Sequence, residues 1–348
     1  MQSFWKSFTK TLGILSAFFV ILLLIMAVPR ISENYMDLSQ GKYEFIEGDK
    51  SSLNKIIILQ INGLITNQSK IDLPLLNSKI IYANEVEKIL YDLSSDFNLK
   101  AIIISINSPG GSVSGSNRLY NAINNFKQNS KLPIIIHTNE ILTSGAIWSV
   151  SPADKIYASY GAMIGSIGVK GPSWFVYNKP ISMEHNYFGP KVSTLKGIDY
   201  YQPYAGKSKD IFNPFRNPTP EELSSIQDML DSIYERFLNI LSKNRKINKD
   251  YIKNNLGALI FESETAKQHN LIDEVASLDV VKEKVILSLK LKEDYQILKI
   301  KNVSNFIEQF YNINFLFKTH YNNNINSDIC NLSNQQFLLI SNYNFSEC

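Results

Sequence analysis

The chain has 348 residues, 44% of them hydrophobic, enough for one large domain or two small ones around a packed core. Its net charge of +3 comes from 35 basic and 32 acidic residues spread along the sequence. No dense basic patch with interleaved aromatics occurs, which argues against nucleic acid as a partner. The two cysteines, Cys330 and Cys348, fall near the C-terminus and form no CxxC pair, so they suggest neither a metal site nor a staple for the core.

The N-terminus is informative. Thr11 to Val28 reads TLGILSAFFVILLLIMAV and contains no charge. As a helix it would span about 27 Å, close to the hydrocarbon thickness of a bilayer. Lys6 and Lys10 precede it and Glu33, Asp37, Glu44 and Glu47 follow. The positive-inside rule then predicts a cytoplasmic N-terminus and an exported remainder. A retained anchor is preferred to a cleaved signal peptide, because the best cleavage site, after Ala27, has Ile25 at −3 and Pro29 at +2. Residues 1–30 are therefore read as a cytoplasmic start and transmembrane signal-anchor, and the mixed, polar 31–54 as a linker.

Lys55–Asn62 (KIIILQIN) predicts a buried strand. Asn84 is placed to cap a helix that turns Val86, Ile89, Leu90, Leu93 and Phe97 to one face. Ala101–Ile106 predicts a second buried strand, broken by NSPGGS at 107–112, and a helix with Leu119, Ala122, Ile123 and Phe126 inward follows. Pro133–Thr138 and Lys155–Ala158 predict a third and a fourth strand. Strands alternating with amphipathic helices predict an α/β class with largely parallel strands. Thr219-Pro220-Glu221-Glu222 is a capping box, opening a helix whose apolar stripe from Leu223 to Leu241 suits a core or a subunit contact. The main domain is placed at 55–290. Residues 291–348 form an Asn-rich extension, in which 301–348 hold twelve asparagines but also Phe306, Phe310, Phe315, Phe317 and Phe337 that could dock on the body.

Two short segments carry possible chemistry. In Ser108-Pro109-Gly110-Gly111 a rigid proline is followed by two residues without Cβ, a turn that lets a peptide backbone approach and can direct an amide at a developing oxyanion. Ser144-Gly145-Ala146 puts a hydroxyl among small neighbours at the expected start of a helix, where a nucleophile should be exposed. Taken singly, a PGG is more often a plain turn and a Ser-Gly more often a helix cap. The four histidines, His137, His185, His269 and His320, stand in no setting that suggests a Ser-His-Asp triad. A lysine amine can replace histidine when desolvation lowers its pKa from about 10.4 to roughly 7–8. Gly206-Lys207-Ser208-Lys209-Asp210 supplies two lysines; alone it is a solvated charged loop, and Asp210 is free to pair with either amine.

INSPGGSV at 106–113, SGA at 144–146, GSIGV at 165–169, GKSKD at 206–210 and ETAKQHNLIDEV at 264–275 occur in the order of the signal peptide peptidase A serine peptidases, which the chain resembles over roughly residues 55–285. The resemblance implies a ClpP/crotonase-like fold of ββα units preceded by one transmembrane helix, with no metal and no cofactor. It implies Ser144 as nucleophile, Lys209 as general base, and Ser166 as the residue orienting the lysine amine. Gly111 and Gly145 would give oxyanion-hole amides, with Gly110 in support. It further implies peptide substrates such as signal peptides, a homo-oligomer whose Ser and Lys come from neighbouring protomers, and a single-pass protein of the bacterial inner membrane with its catalytic domain on the exported side. Ala146 departs from the family's usual glycine. A ClpP-type protease would need a histidine near Val169, and a crotonase-type enzyme would need neither Ser144 nor GKSKD. A membrane scaffold that has lost catalysis is disfavoured by the intact Ser144, Ser166 and Lys209.

Overall fold

A computed structural model of the protein describes residues 43–67, 80–174, 176 and 203–300, the backbone of 183–186, 189–192 and 338–340, and Trp5, Leu12, Gly13, Ser16 and Phe19. The chain divides into two compact units, Glu47–Ile297 with Thr319–Cys348, and Met1–Ile46 with Leu298–Lys318. Among the described residues no helix is long and apolar enough to cross a membrane. Apart from Leu12, Gly13, Ser16 and Phe19, the expected span Thr11–Val28 lies outside them, as do Cys330, Cys348, His320, the side chain of His185 and the phenylalanines of the C-terminal extension.

The strands in chain order are β1 (Tyr43–Gly48), β2 (Lys55–Asn62), β3 (Leu64–Thr66), β4 (Ile80–Tyr82), β5 (Leu99–Asn107), β6 (Gly110–Ser112), β7 (Ile134–Thr138), β8 (Ile141–Thr143), β9 (Lys155–Ala158), β10 (Met163–Gly165), β11 (Met183–Asn186), β12 (Gly189–Val192), β13 (Ile260–Glu262), β14 (Glu274–Val275), β15 (Gln296–Ile300) and β16 (Leu338–Ile340). The helices are α1 (Ala83–Leu93), α2 (Val113–Ser130), α3 (Gly145–Val150), α4 (Pro220–Arg245), α5 (Lys249–Tyr251, continuing as a π-turn over Ile252–Leu256), α6 (Ser263–Gln268) and α7 (Leu278–Leu289). In the smaller unit the described residues lie mainly in β1 and β15, which are neighbours.

The larger unit is built on the parallel strands β2-β5-β7-β9-β14. Isoleucine-rich runs suit these positions, because a parallel sheet is covered on both faces and branched side chains fill it without polar loss. One face buries Ile56, Ile58, Ala101, Ile103, Ile135 and Tyr157 against Val281, Val285 and Ile286 of α7 and Ile297. On α2, Leu119, Ala122, Ile123 and Phe126 are buried as the periodicity requires. Three times a sheet strand is followed by one or two short strands and then a helix: β2, β3, β4, α1; β5, β6, α2; and β7, β8, α3. The short strands form their own sheets, β16-β6-β3-β4 and β13-β10-β8.

Several local expectations change. Helix α1 starts at Ala83 with Tyr82 as its cap, so Asn84 lies inside the first turn. It ends at Leu93, and Phe97, placed inward by extending the helical period, is 97% exposed in the turn beyond. Residues 110–112 are a strand rather than part of a plain turn, because β3 pairs with them on one side and β16 on the other. Strand β1 falls within the stretch read as linker, and β15 within the stretch read as extension. The extension contributes β16, which runs antiparallel to β6 with Leu339 opposite Gly111.

His137 lies in the middle of β7, fully buried, with Nε2–H donating to Ala276 O at 3.2 Å. Burial pushes its pKa below the ordinary value of 6.5, against the raising influence of that bond and of the Asp279 carboxylate. The unfolded chain therefore binds the proton more readily, and the stabilisation is fully present above about pH 6.5 and lost as pH falls below it. Denaturant midpoints should fall between about pH 6.5 and 5 for the native chain. In His137→Gln that slope should be shallower; equal slopes in the two proteins would show that His137 does not contribute.

Candidate active site

The site begins with Asn107, the last residue of β5. Its Oδ1 accepts from Thr138 Oγ1 at 3.0 Å, Asn139 N at 3.0 Å and Glu140 N at 2.9 Å, and its Nδ2 donates to Asn62 Oδ1 at 3.2 Å. One amide thus ties the end of β2 and the bend between β7 and β8 to β5. Ser108 continues the tie, since its N–H donates to Ile141 O at 2.9 Å and its carbonyl accepts from Thr143 N at 3.2 Å. Ser108 Oγ accepts from Gly110 N at 3.1 Å, which commits that amide and leaves Gly110 a supporting role. Gly110 has φ +106°, and a Cβ on Gly111 would overlap the carbonyl of Ile65 on β3, so neither position accepts a side chain. Ser112 caps α2, accepting from Gly115 N at 3.1 Å.

Ser144 follows directly on β8. Its backbone stands at φ +55° and ψ −122°, a region favoured by glycine and costly for any residue with a Cβ. The conformation is held from both sides, because Ser144 N–H donates to Gly165 O at 2.7 Å and Ser144 O accepts from Trp148 N at 3.2 Å. Sequence reasoning expected an exposed hydroxyl. Instead Ser144 is 1% exposed, closed in with the wholly buried helix α3, and its Oγ has no hydrogen-bond partner among the described residues. A buried hydroxyl normally finds a partner, so the combination of strain, burial and an unused polar atom marks this residue. The Gly145 amide is a first-turn N–H with no acceptor inside the helix.

Ser166 is brought beside Ser144. Strands β8 and β10 are parallel with Thr143 opposite Gly165, so the two serines are the next residues of paired strands, and both have φ +55°. Ser166 N–H donates to Leu259 O at 2.7 Å and Ile167 N–H to Gly257 O at 3.0 Å. A Cβ on Gly165 would come within 2.6 Å of Leu259 O, which requires glycine there.

The lysine segment is placed differently. Lys209 N–H donates to Gly206 O, Ile211 N–H to Ser208 O and Asn213 N–H to Asp210 O, a run of tight turns in which Ser208 has φ +60°. The ring of Phe212 lies against Trp174, with centroids 4.9 Å apart. Asp210 pairs with neither lysine. Its carboxylate takes both arms of Arg216, at 2.8 Å each, and Arg216 also reaches Glu222 at 2.7 and 2.9 Å. The two acidic side chains are only 4% and 2% exposed. The Arg216 guanidinium holds each of them down to about pKa 2. Their ionic stabilisation is therefore present above about pH 4 and lost as pH falls toward 2. Lys207 is solvated and 3.9 Å from Glu221, while Lys209 is exposed in the single chain and is not hydrogen-bonded to Ser144 Oγ. One chain thus joins Ser144, Ser166 and the glycine turn, but not Lys209. Among the described residues no group of three or more His, Cys, Asp and Glu is arranged to hold a metal ion.

A family model described as Peptidase family S49 matches residues 126–292, a stretch containing Ser144, Ser166 and Lys209. The chain is 31% identical over 189 residues to a provisionally named protease of Methanocaldococcus jannaschii, covering 54% of this chain and 56% of that protein. It is 26% identical over 258 residues to an Enterococcus faecium protein provisionally named signal peptide peptidase SppA, covering 72% and 68%. It is also 26% identical over 228 residues to Protease 4 of Haemophilus influenzae, covering 65% of this chain but 33% of that one. The chain thus spans about half of the first of these relatives and a third of the last. The motif resemblance to signal peptide peptidase A holds, and the α/β architecture with its ββα units agrees with an S49 peptidase.

Asn107 and Arg216 were missed by sequence reasoning. Asn107 looked like a turn-former, and only the three donors that converge on it reveal more. Arg216 had a signal, since it stands midway between Asp210 and Glu222 in sequence. The strain at Ser144 gives a stability test. Ser144→Gly should raise stability by about 1 kcal/mol, the relief of the backbone cost less the extra entropy of glycine in the unfolded chain. Denaturant unfolding measures it, and a clear loss of stability would mean that the backbone is not strained.

Proposed function

We propose that this S49 protease is a membrane-anchored serine endopeptidase using a Ser144–Lys209 dyad. The observation that carries the reading is the Ser144 hydroxyl, held without a partner among the described residues in a strained, buried turn beside the Gly145 amide. In the proposed reaction the neutral Lys209 amine takes the Ser144 proton as Oγ bonds to the scissile carbonyl carbon. Amides of Gly111 and Gly145 stabilise the resulting oxyanion. The lysine ammonium then passes its proton to the departing amine as the C–N bond breaks. Water, deprotonated by the same amine, releases the acyl group and restores the Ser144 hydroxyl. Ser166, beside Ser144 in the paired strands, orients the amine.

The substrate is an extended peptide that takes the antiparallel place on Gly110–Ser112 occupied by β16 in this structure. Apolar, membrane-associated peptides such as spent signal peptides suit an enzyme anchored by Thr11–Val28, with its catalytic domain on the exported side of the bacterial inner membrane. The names of the Enterococcus and Haemophilus relatives support the peptidase part of this reading. Because Lys209 is exposed in one chain and away from Ser144, the base comes from a neighbouring copy in a homo-oligomer. The first half of α4 supports such an assembly, with Leu223 52% and Met229 38% exposed.

Ser144→Ala, Lys209→Ala and Lys209→Arg should each lower kcat about a thousandfold or more, because the guanidinium is too basic to accept the serine proton. Lys207→Ala should stay within about threefold of the parent, since it loses only a solvated pair. Inactive Lys207→Ala with active Lys209→Ala would move the base to Lys207, and active Ser144→Ala would end the serine mechanism. Co-refolded Ser144→Ala and Lys209→Ala chains should recover part of the activity. No recovery in confirmed mixed oligomers would place both residues in one chain.

Substrate class is tested with the full chain in detergent micelles, offered a spent signal peptide and a polar unfolded peptide of equal length. Preferential cleavage of the signal peptide is expected. Equal rates would indicate a general protease instead.

A further inference from the structure

The segment that presents Lys209 is fastened at the residue that follows it. Asp210 is gripped by both arms of Arg216, which also holds Glu222. Glu222 in turn accepts from Thr219 N at 2.9 Å in the capping box that starts α4. The lysine turn is thereby referred to a helix of 26 residues rather than left as a loop.

The same contacts have an electrostatic consequence. A free carboxylate one residue from an amine favours its charged form. Of the ionic groups on the turn and the adjoining start of α4, Lys207 faces Glu221, while Asp210 and Glu222 both face Arg216. Arg216 is the cation that keeps two buried carboxylates engaged away from Lys209.

We propose that Arg216 is a positioning residue for the general base, fixing the Lys209 turn to the start of α4 and keeping Asp210 and Glu222 from holding the amine protonated. The inference rests on the Ser144–Lys209 reading. A clamp that served stability alone would change how much enzyme is folded, but not the pH at which each folded molecule becomes active. Arginine is required because only a planar fork can engage two carboxylates at once.

The full chain in detergent is assayed as the parent, Arg216→Met, Arg216→Lys, Arg216→Met with Asp210→Asn, and Lys209→Ala. For each, kcat and KM on one extended apolar peptide are measured against pH, with circular dichroism and thermal unfolding recording the folded fraction. In folded Arg216→Met, kcat at pH 7 should fall about tenfold and KM should stay within about twofold. The midpoint of the alkaline rise in kcat should move up by about one pH unit. Adding Asp210→Asn should bring the midpoint part of the way back, and Arg216→Lys should show a smaller upward shift. If Arg216→Met does not fold, Arg216→Lys decides the matter. Unmoved midpoints in the folded variants would overturn the proposal while leaving the dyad standing. Persistent activity in Lys209→Ala would instead remove the dyad reading on which it rests.

Discussion

The carboxamide of Asn107 fixes the relation between the strands that surround Ser144. Its oxygen receives three donors from the last residue of β7 and the bend after it, and its nitrogen reaches the end of β2. Without that bend in place β8 has no fixed start, and β8 is what the rest of the site leans on. On one side it bonds to Ser108 and so sets the glycine strand β6. On the other it pairs with β10 and so sets Ser166. Three residues of strand thus align the glycine strand, a strained serine and a second serine, all with backbone hydrogen bonds that are insensitive to side-chain identity.

That frame explains how a serine can occupy a glycine-like conformation. A single residue at φ +55° and ψ −122° relaxes unless its neighbours hold it. Here the amide before the hydroxyl is committed to β10, and the carbonyl after it to α3. Among the described residues the hydroxyl is the one part of Ser144 left without a hydrogen bond. The lysine turn is organised by a different physics, the mutual attraction of one arginine and two buried carboxylates. Backbone pairing and ionic pairing therefore govern the two halves of the proposed dyad separately. This fits a site whose halves meet only when copies of the chain come together.

Much of this was legible in the sequence because it rests on local rules. The isoleucine runs of β2, β5 and β7 announce buried parallel strands, and Thr219-Pro220-Glu221-Glu222 announces the start of α4 before any contact is known. What stayed hidden depends on residues far away in the chain. Gly110-Gly111-Ser112 has no strand propensity of its own and becomes a strand only between β3 and β16. Phe97 was assigned inward because a helical period carries no mark of where the helix stops. Asp210 was open to pairing with either Lys207 or Lys209, whereas the fork of Arg216 offers two bonds where an amine would offer a weaker single contact. Burial of Ser144 was missed for the same reason, since small neighbours suggest access but say nothing about what packs over them.

The turn carrying Ser166 donates its N–H groups to the carbonyls of Leu259 and Gly257, and β13 closes β10 from the same late stretch of chain. Those partners come about ninety residues after the serine. Translation at about 5–20 residues per second leaves roughly 5–20 s between the two. Throughout that interval a growing chain holds both serines but lacks the segment that locks Ser166. A fragment released upstream of Gly257, by truncated synthesis or by a protease, carries the same unlocked turn. Order of synthesis thus acts as a timer on this peptidase domain, and the serine pair reaches its final geometry only when most of the domain has been made.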